Sequence, residues 1–224
     1  MSNDPTAFAP EIFKAYDIRG IVGKTLTPEV VRGIGQALGS MAQERGCKSI
    51  AVGRDGRISG PALSAALQEG IASTGCTAID IGCVPSPTSY FAAYALNTQC
   101  AVSVTGSHNP PDYNGLKIVV TGKAIYGDDI QTLRNRAISG EVKYAAGART
   151  SADVRARYVA RIVGDAKLKR PMNIAIDCGN GVAGELAPQV FEGMGCKVDK
   201  LFCEIDGISL ITTPTRLSQK IWKT

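Results

Sequence analysis

The sequence predicts an α/β fold: a three-layer domain with a mixed, largely parallel sheet. Short apolar runs of strand length alternate with longer segments of helical periodicity, and this alternation is typical of sheets covered by helices. Of the 224 residues, 44% are hydrophobic and 20% are charged, a composition that supports a buried core and disfavours wholesale disorder. A chain of this length can form one large domain or two modest ones.

The first half of the chain alternates helices and strands after a loose tail at 1–10. Residues 11–23 follow as an extended segment. Thr27-Pro28-Glu29 combines a capping hydroxyl, a proline at the first helical position and an acid, which predicts a helix that ends near Gly46. Next we expect alternating elements, which are a strand at 49–52, a helix at 59–73, a strand at 77–81, a helix at 85–97 and a strand at 101–104.

The second half repeats the alternation after a strand at 116–120 and a helix at 128–139. Residues 140–151 are polar and irregular, which is typical of a domain boundary. We therefore expect one domain at 11–148 and a second segment at 149–207. This segment carries a helix at 153–164, a strand at 173–176, a helix that ends near 194 and a strand at 197–202.

Composition and charge exclude several classes of protein. The net charge of +5 is mild, and its basic residues are scattered without the aromatic-basic stripe of a nucleic-acid reader. The seven cysteines form no C-x-x-C pair, and their odd number indicates reduced thiols in the cytoplasm. The N-terminus lacks the features of a signal peptide, and no apolar run has transmembrane length. We expect a cytoplasmic protein without nucleic-acid or membrane partners.

The most informative stretch is the polar loop within 104–117. It holds Ser107 among Gly, Asn and Pro residues, where a hydroxyl can face solvent and the backbone can take unusual dihedral angles. The only histidine of the chain, His108, follows that serine, and Lys117 lies at the far side of the turn. An isolated Ser-His pair would more simply be part of an ordinary hairpin loop, so its context must decide.

Two arginine-bearing segments each allow two interpretations. The segment at 16–20 places Tyr16 and Arg19 beside a glycine, and arginine suits bidentate phosphate recognition, although a surface salt bridge is the simpler alternative. In the segment at 53–57, an Arg-Asp pair could instead buttress the neighbouring loop. The glycine turn at 177–184 lacks a clean dinucleotide fingerprint and is better explained as a tight strand-to-helix turn.

Taken together, the segments at 13–20, 53–57, 105–117 and 177–184 resemble the α-D-phosphohexomutase superfamily. The run Thr-Gly-Ser-His-Asn-Pro-Pro-Asp-Tyr-Asn-Gly-Leu-Lys within 105–117 is similar to its bacterial phosphomannomutase/phosphoglucomutase branch. The resemblance spans 11–207. It implies a three-layer phosphoserine domain followed by an incomplete second α/β domain of the same type.

The resemblance also implies an isomerase that moves a phosphoryl group between C1 and C6 of mannose or glucose phosphates. Ser107 would be the phosphoserine, glucose 1,6-bisphosphate the activator, and a phosphate oxygen on Ser107 a ligand of Mg²⁺. His108 and Lys117 would position charge or help proton transfer. Tyr16 and Arg19 would contact the substrate together with Ser107 and Lys117. Such chemistry requires alignment and positive charge around the phosphoryl group.

The match is incomplete. Family members have four domains, and the aspartate-rich metal loop, the sugar-reading loop and the phosphate-binding loop have no counterpart here. Residues 208–224 look foreign, and with chosen synonymous codons plus one added base they encode a family-like string. We therefore expect a one-base deletion after Gly207 and an aberrant tail. Two functions stay open, a mutase and a truncated, catalytically inactive fragment, and we expect little or no mutase activity.

Assembly is a further expectation. Family enzymes are often monomeric, but a second domain that ends within its sheet would leave a strand edge near 197–202 exposed. Unpaired strand edges template pairing with other chains. The fragment is therefore expected to self-associate through this edge.

Overall fold

The computed structural model describes residues 8–207, which divide into two compact units between Val154 and Arg155. The sequence predicts this boundary between 148 and 149. In the structure, residues 149–151 form a strand of the first unit's sheet and so stay with that unit. Most of the predicted N-terminal tail and the predicted aberrant tail at 208–224 lie outside the described residues.

The first unit contains four α-helices and seven strands within its described part. The helices are α1 (Pro28–Glu44), α2 (Gly60–Ala72), α3 (Ser86–Ala95) and α4 (Asp128–Ser139). The strands are β1 (Ile18–Ile21), β2 (Ser49–Arg54), β3 (Thr77–Cys83), β4 (Ala101–Val104), β5 (Tyr113–Val120), β6 (Lys123–Ala124) and β7 (Arg149–Ser151).

The strands of this unit form one mixed sheet in the order β1-β5-β4-β2-β3-β7, with β6 on β5. The run β4-β2-β3-β7 is parallel, whereas β5 is antiparallel to β1, β4 and β6. The predicted α/β class with a mixed, largely parallel sheet is thus confirmed. Because β4 and β5 are antiparallel neighbours, their connecting loop forms the tip of a hairpin, and the polar loop around Ser107 is that tip.

Helix α1 begins where the sequence predicts. The Oγ1 of Thr27 accepts a hydrogen bond from the backbone N–H of Val30 at 3.3 Å, and Pro28 occupies the first helical position. Such a cap satisfies one of the N–H groups that a helix start leaves without a partner. The buried side of the helix includes the fully enclosed Ile34 and Leu38.

Helices α1 and α2 pack closely because glycines line their contact. A Cβ added to Gly70 would lie 2.0 Å from the carbonyl oxygen of Arg32, and one added to Gly35 would lie 2.5 Å from that of Leu67. Neither backbone could give way cheaply, so these helices require glycine at the contact. The packing encloses a large apolar core, whose fully buried members include Leu63, Leu67, Ile71 and Ile50.

The second unit contains a smaller α/β arrangement. Helix α5 (Arg155–Asp165) precedes β8 (Asn173–Asp177), and a short 3₁₀ turn and α6 (Leu186–Gly193) lead to β9 (Lys197–Leu201). Strands β8 and β9 are parallel, as expected for a strand-helix-strand unit. None of the helices within residues 8–207 has the length and hydrophobicity that a bilayer span requires.

Candidate active site

The loop between β4 and β5 is shorter than the sequence suggests. Strand β5 begins at Tyr113 rather than near Leu116, because Tyr113 and Asn114 pair with Ile21 and Gly20 of β1. The loop proper therefore covers residues 105–112, directly after the buried end of β4. Its two ends are held by the sheet.

Ser107 is exposed and has a positive φ of 53°. This left-handed conformation is uncommon for residues other than glycine, and a structure retains it only where the surroundings impose it. The Oγ1 of Thr105 accepts a hydrogen bond from the backbone N–H of Ser107 at 2.9 Å. The same hydroxyl donates to Asp55 at 2.7 Å. The buried Thr105 thus fixes the N–H side of the serine.

Arg57 holds the carbonyl side of the loop. Its guanidinium donates to the carbonyl oxygens of Pro110 at 2.6 Å, Tyr113 at 2.9 Å, Ser107 at 3.0 Å and Asn109 at 2.7 Å. One planar group with several fixed donors can order a whole loop in this way. Of the two interpretations of the segment at 53–57, the buttress of the neighbouring loop is therefore the one that the structure supports.

Asp55 connects the buttress to the loop. Its carboxylate accepts hydrogen bonds from the backbone N–H groups of Arg57 at 3.0 Å and Gly106 at 3.1 Å. The Nε of Arg57 also lies 3.5 Å from its Oδ2. Burial lowers the pKa of Arg57, and the charge of Asp55 partly offsets that change. The arginine stays a cation, because arginine pKa values lie far above neutral pH.

Gly106 leaves room for the Arg57 guanidinium. A Cβ at this position would lie 2.1 Å from Cζ and Nε of Arg57. Any larger residue would push the guanidinium away from the carbonyl oxygens that it binds. The loop and the arginine therefore depend on each other sterically as well as through hydrogen bonds.

Arg19 approaches the loop from β1. Its Nη1 donates to the carbonyl oxygen of Gly106 at 2.8 Å, and its Nη2 pairs with Asp17. The side chains of Arg19 and Asp17 are only 10% and 6% exposed. The pair is thus not the surface salt bridge that the sequence leaves open as an alternative. It is a buried support for the same loop.

The structure brings three of the predicted site residues together. Ser107 Oγ lies 3.3 Å from Nδ1 of His108, and Arg19 joins them through Gly106. Lys117 lies within β5 opposite Ser103 and is half-buried, while Tyr16 precedes β1 and is 71% exposed. Among the hydrogen bonds of residues 8–207, none links these last two side chains to Ser107.

The role of Thr105 is absent from the sequence prediction. A local signal exists, because a Ser or Thr hydroxyl often binds the N–H two residues further along. That signal is common in loops and does not by itself mark a site. Its importance emerges only with Asp55, which arrives from a distant part of the chain.

The described part of the chain offers few ligands for the predicted Mg²⁺. Residues 8–207 contain no group of three or more His, Cys, Asp or Glu side chains placed to hold a metal ion. Mg²⁺ requires near-octahedral oxygen ligands, mostly carboxylate, phosphate and water. The described residues thus do not supply a donor set for this ion.

Comparison with known proteins agrees with this α/β fold. Residues 10–142 match the family described as phosphoglucomutase/phosphomannomutase, alpha/beta/alpha domain I. A phosphomannomutase/phosphoglucomutase of Pseudomonas aeruginosa is 48% identical over 206 residues, with 90% of this chain and 44% of the relative covered. A phosphoglucomutase of Neisseria meningitidis serogroup B is 47% identical over 204 residues, with 90% and 44% covered.

A solved structure gives the same result. A phosphoglucomutase/phosphomannomutase family protein from Burkholderia thailandensis superposes with a TM-score of 0.84 at 47% identity, with 89% of this chain and 45% of that chain covered. The chain therefore belongs to the phosphoglucomutase/phosphomannomutase family, and the predicted resemblance is confirmed. It spans less than half the length of these relatives.

Proposed function

We propose that this chain carries the phosphoserine half of a phosphohexomutase. Ser107 would exchange a phosphoryl group with C1 or C6 of mannose or glucose phosphates, with a hexose 1,6-bisphosphate as the intermediate. The observation that carries the proposal is the constrained Ser107 itself, whose φ of 53° is imposed from both sides. Strained backbone held by its surroundings is a feature of functional sites.

The proposed step is a phosphoryl transfer in line with the serine oxygen. Ser107 Oγ attacks the phosphorus of a hexose bisphosphate, the bond between phosphorus and the sugar oxygen breaks, and that oxygen takes up a proton. The hydroxyl proton of Ser107 leaves toward His108, whose Nδ1 is 3.3 Å away. In the reverse step the phosphoserine transfers its group to the free C1 or C6 hydroxyl of a hexose monophosphate, which regenerates the bisphosphate and the Ser107 hydroxyl.

The remaining predicted residues have proposed supporting roles. The cation of Lys117 would face the charge that develops on the phosphoryl oxygens, and Tyr16, which is 71% exposed, would contact the sugar. Arg19 and Arg57 already bind loop carbonyls. They would act by holding the loop, because transfer depends on alignment.

A second candidate is an inert fragment of the family. The absence of a metal donor set within residues 8–207 favours it, and each loss of about 1.4 kcal/mol of transition-state stabilisation slows a reaction tenfold. We propose that the chain accepts phosphate on Ser107 but turns over slowly. A Mg²⁺ bound through the serine phosphate would take its other ligands from water or from outside these residues.

Intact mass measurement after incubation with glucose 1,6-bisphosphate tests the proposal. We expect one phosphate adduct on the wild-type chain and none on Ser107→Ala. Ser139→Ala, an exposed serine at the end of α4, is the matched control and should keep the adduct. An unmodified wild-type chain would favour the inert fragment, and near-native turnover of glucose 1-phosphate in a coupled assay would contradict slow turnover.

Self-association remains a proposal for the second unit. Within the described residues, β9 pairs only with β8, so its other edge offers unpaired backbone groups. We propose that the chain forms oligomers whose size increases with its concentration. We also propose that it is located in the cytoplasm. Light scattering across a concentration series would find a constant monomer mass if this is wrong.

A further inference from the structure

Two thiols lie side by side in the second unit. The Sγ atoms of Cys178 and Cys203 are 3.5 Å apart. Cys178 directly follows β8, and Cys203 comes shortly after the end of β9. The ends of neighbouring parallel strands meet at one edge of a sheet, so the topology itself brings the two cysteines together.

The backbone around the pair is firmly connected. The N–H of Cys178 donates to the carbonyl oxygen of Leu201 at 3.1 Å, and that of Asn180 donates to Phe202 at 2.7 Å. The amide of the buried Asn180 side chain donates to the carbonyl oxygen of Glu204 at 2.7 Å. These bonds join the two loops on both sides of the sulfurs, so the short distance is a property of the fold.

Solvent access separates this pair from the other clustered thiols. Cys178 and Cys203 are half-exposed. Cys47, Cys76 and Cys100 are buried, and burial raises the pKa of Cys76 to about 11 and of Cys100 to about 12. Buried thiols are inert because reagents cannot reach them.

We propose that Cys178 and Cys203 are a modification site that closes to a reversible disulfide under hydrogen peroxide. The thiolate of Cys203 attacks one peroxide oxygen, the O–O bond breaks, and a sulfenic acid and water form. The sulfur of Cys178 then attacks that sulfenic sulfur, the S–O bond breaks, and a second water leaves. Two thiols are oxidised, one peroxide is reduced, and a dithiol reverses the bond.

The geometry requires only a small movement. A disulfide has an S–S length of about 2.05 Å, so rotation of the two side chains must close the present 3.5 Å gap. The bond would connect the turn after β8 to the segment after β9 within the second unit.

The reaction should accelerate as the pH rises. Burial, with a further contribution from Cys203, raises the pKa of Cys178 to about 12. Since only the thiolate is a good nucleophile, the Cys178 thiol resolves the sulfenic acid slowly at neutral pH. Below that pKa, the thiolate fraction increases about tenfold for each unit by which the pH rises.

The test is peptide mapping of the whole chain after mild peroxide treatment and alkylation. We expect a cross-linked peptide pair joined at Cys178 and Cys203, a chain lighter by two hydrogen atoms, and full reversal by dithiothreitol. Closure should be about thirtyfold faster at pH 8.5 than at pH 7. Cys83→Ser, which removes a half-exposed thiol of β3, is the matched control and should leave the cross-link intact.

Two further samples keep the test decisive. In Cys178→Ser the cross-link should vanish, and a dimedone adduct should mark the sulfenic acid on Cys203. The same oxidation in denaturant should join the cysteines in mixed pairs. If the native chain gives that same mixture, or if Cys178 and Cys203 are alkylated separately after peroxide, the proposal is wrong.

Discussion

The two units of the chain bury their strands to different extents. In the first unit every residue of β4 is buried, and β2 is buried except at its ends. In the second unit β8 alternates between exposed and half-buried residues, and α5 has no buried residue. Ser107, with its φ of 53°, belongs to the unit with the enclosed sheet.

The loops at the strand ends also differ. The Ser107 loop is held by Arg57 and Asp55, which come from a different part of the chain. The turn at 177–184 has a local bond, from the N–H of Gly179 to Asp177 at 2.9 Å, and Asn180 also joins it to the carbonyl oxygens of Phe202 and Glu204, each at 2.7 Å. Both loops are thus tied to distant segments, and the Ser107 loop is the one whose distant partners are charged side chains.

Truncation of a core side chain should give the largest difference in lost stability between the two units. Leu38→Ala empties a fully buried position of α1 and should cost the first unit about 3 kcal/mol of unfolding free energy. Leu186→Ala in α6 has fewer buried neighbours and should cost the second unit about 2 kcal/mol or less. Chemical denaturation that is monitored by hydrogen exchange in each unit measures both losses of unfolding free energy. Equal losses would erase the contrast.

Replacing the loop's arginine should weaken the serine's support. Arg57→Lys keeps the charge, but a lysine cannot bind four carbonyl oxygens at once. We therefore expect the free energy of unfolding to fall by about 2 kcal/mol. Phosphate uptake by Ser107 should fall roughly tenfold, since about 1.4 kcal/mol corresponds to that factor. Arg32→Lys, at an exposed ion pair with Glu69, is the control. Wild-type uptake in Arg57→Lys would show that the four bonds are dispensable.

Thr105 should matter less than Arg57. Thr105→Val keeps the shape but removes the hydroxyl between Asp55 and the N–H of Ser107, which should cost about 1 kcal/mol. The measurement is thermal unfolding, with phosphate uptake alongside. Thr150→Val on the exposed β7 should change neither. Unchanged thermal unfolding and phosphate uptake in Thr105→Val would show that this hydroxyl does not support the loop.

The smallest effect concerns an exposed pair. Hydrogen bonding from Arg136 lowers the pKa of Glu44. The stabilisation from this ion pair is therefore present above the pKa of the unfolded glutamate, about 4.3, and is lost as the pH falls through the lower pKa of the folded state. Because Glu44 is 46% exposed, Glu44→Gln should cost only a few tenths of a kcal/mol at pH 7. This difference should vanish near pH 3; if it persists there, its origin is not the charge.

The fold could be predicted from the sequence where local signals agree. The cap at Thr27 and the strand-helix alternation mark elements that the structure contains. Strand β7 was missed because its residues at 149–151 are polar and exposed, and only pairing with β3 makes them a strand.

The loop could be located from the sequence, but not its support. Arg57 lies far from Ser107 in the chain, and only the sheet brings its guanidinium beneath the loop. The same holds for Asp55 and Thr105. Tertiary contacts of this kind leave no periodic signal in one sequence.

The central claim is that Ser107 is the phosphoryl carrier. Peptide mapping of the wild-type chain after glucose 1,6-bisphosphate tests it most directly, because it assigns the phosphate to one residue. We predict a phosphate on the peptide that contains Ser107, formed about tenfold more slowly in Arg57→Lys. A phosphate on any other serine, or a chain that stays unmodified, would contradict the claim.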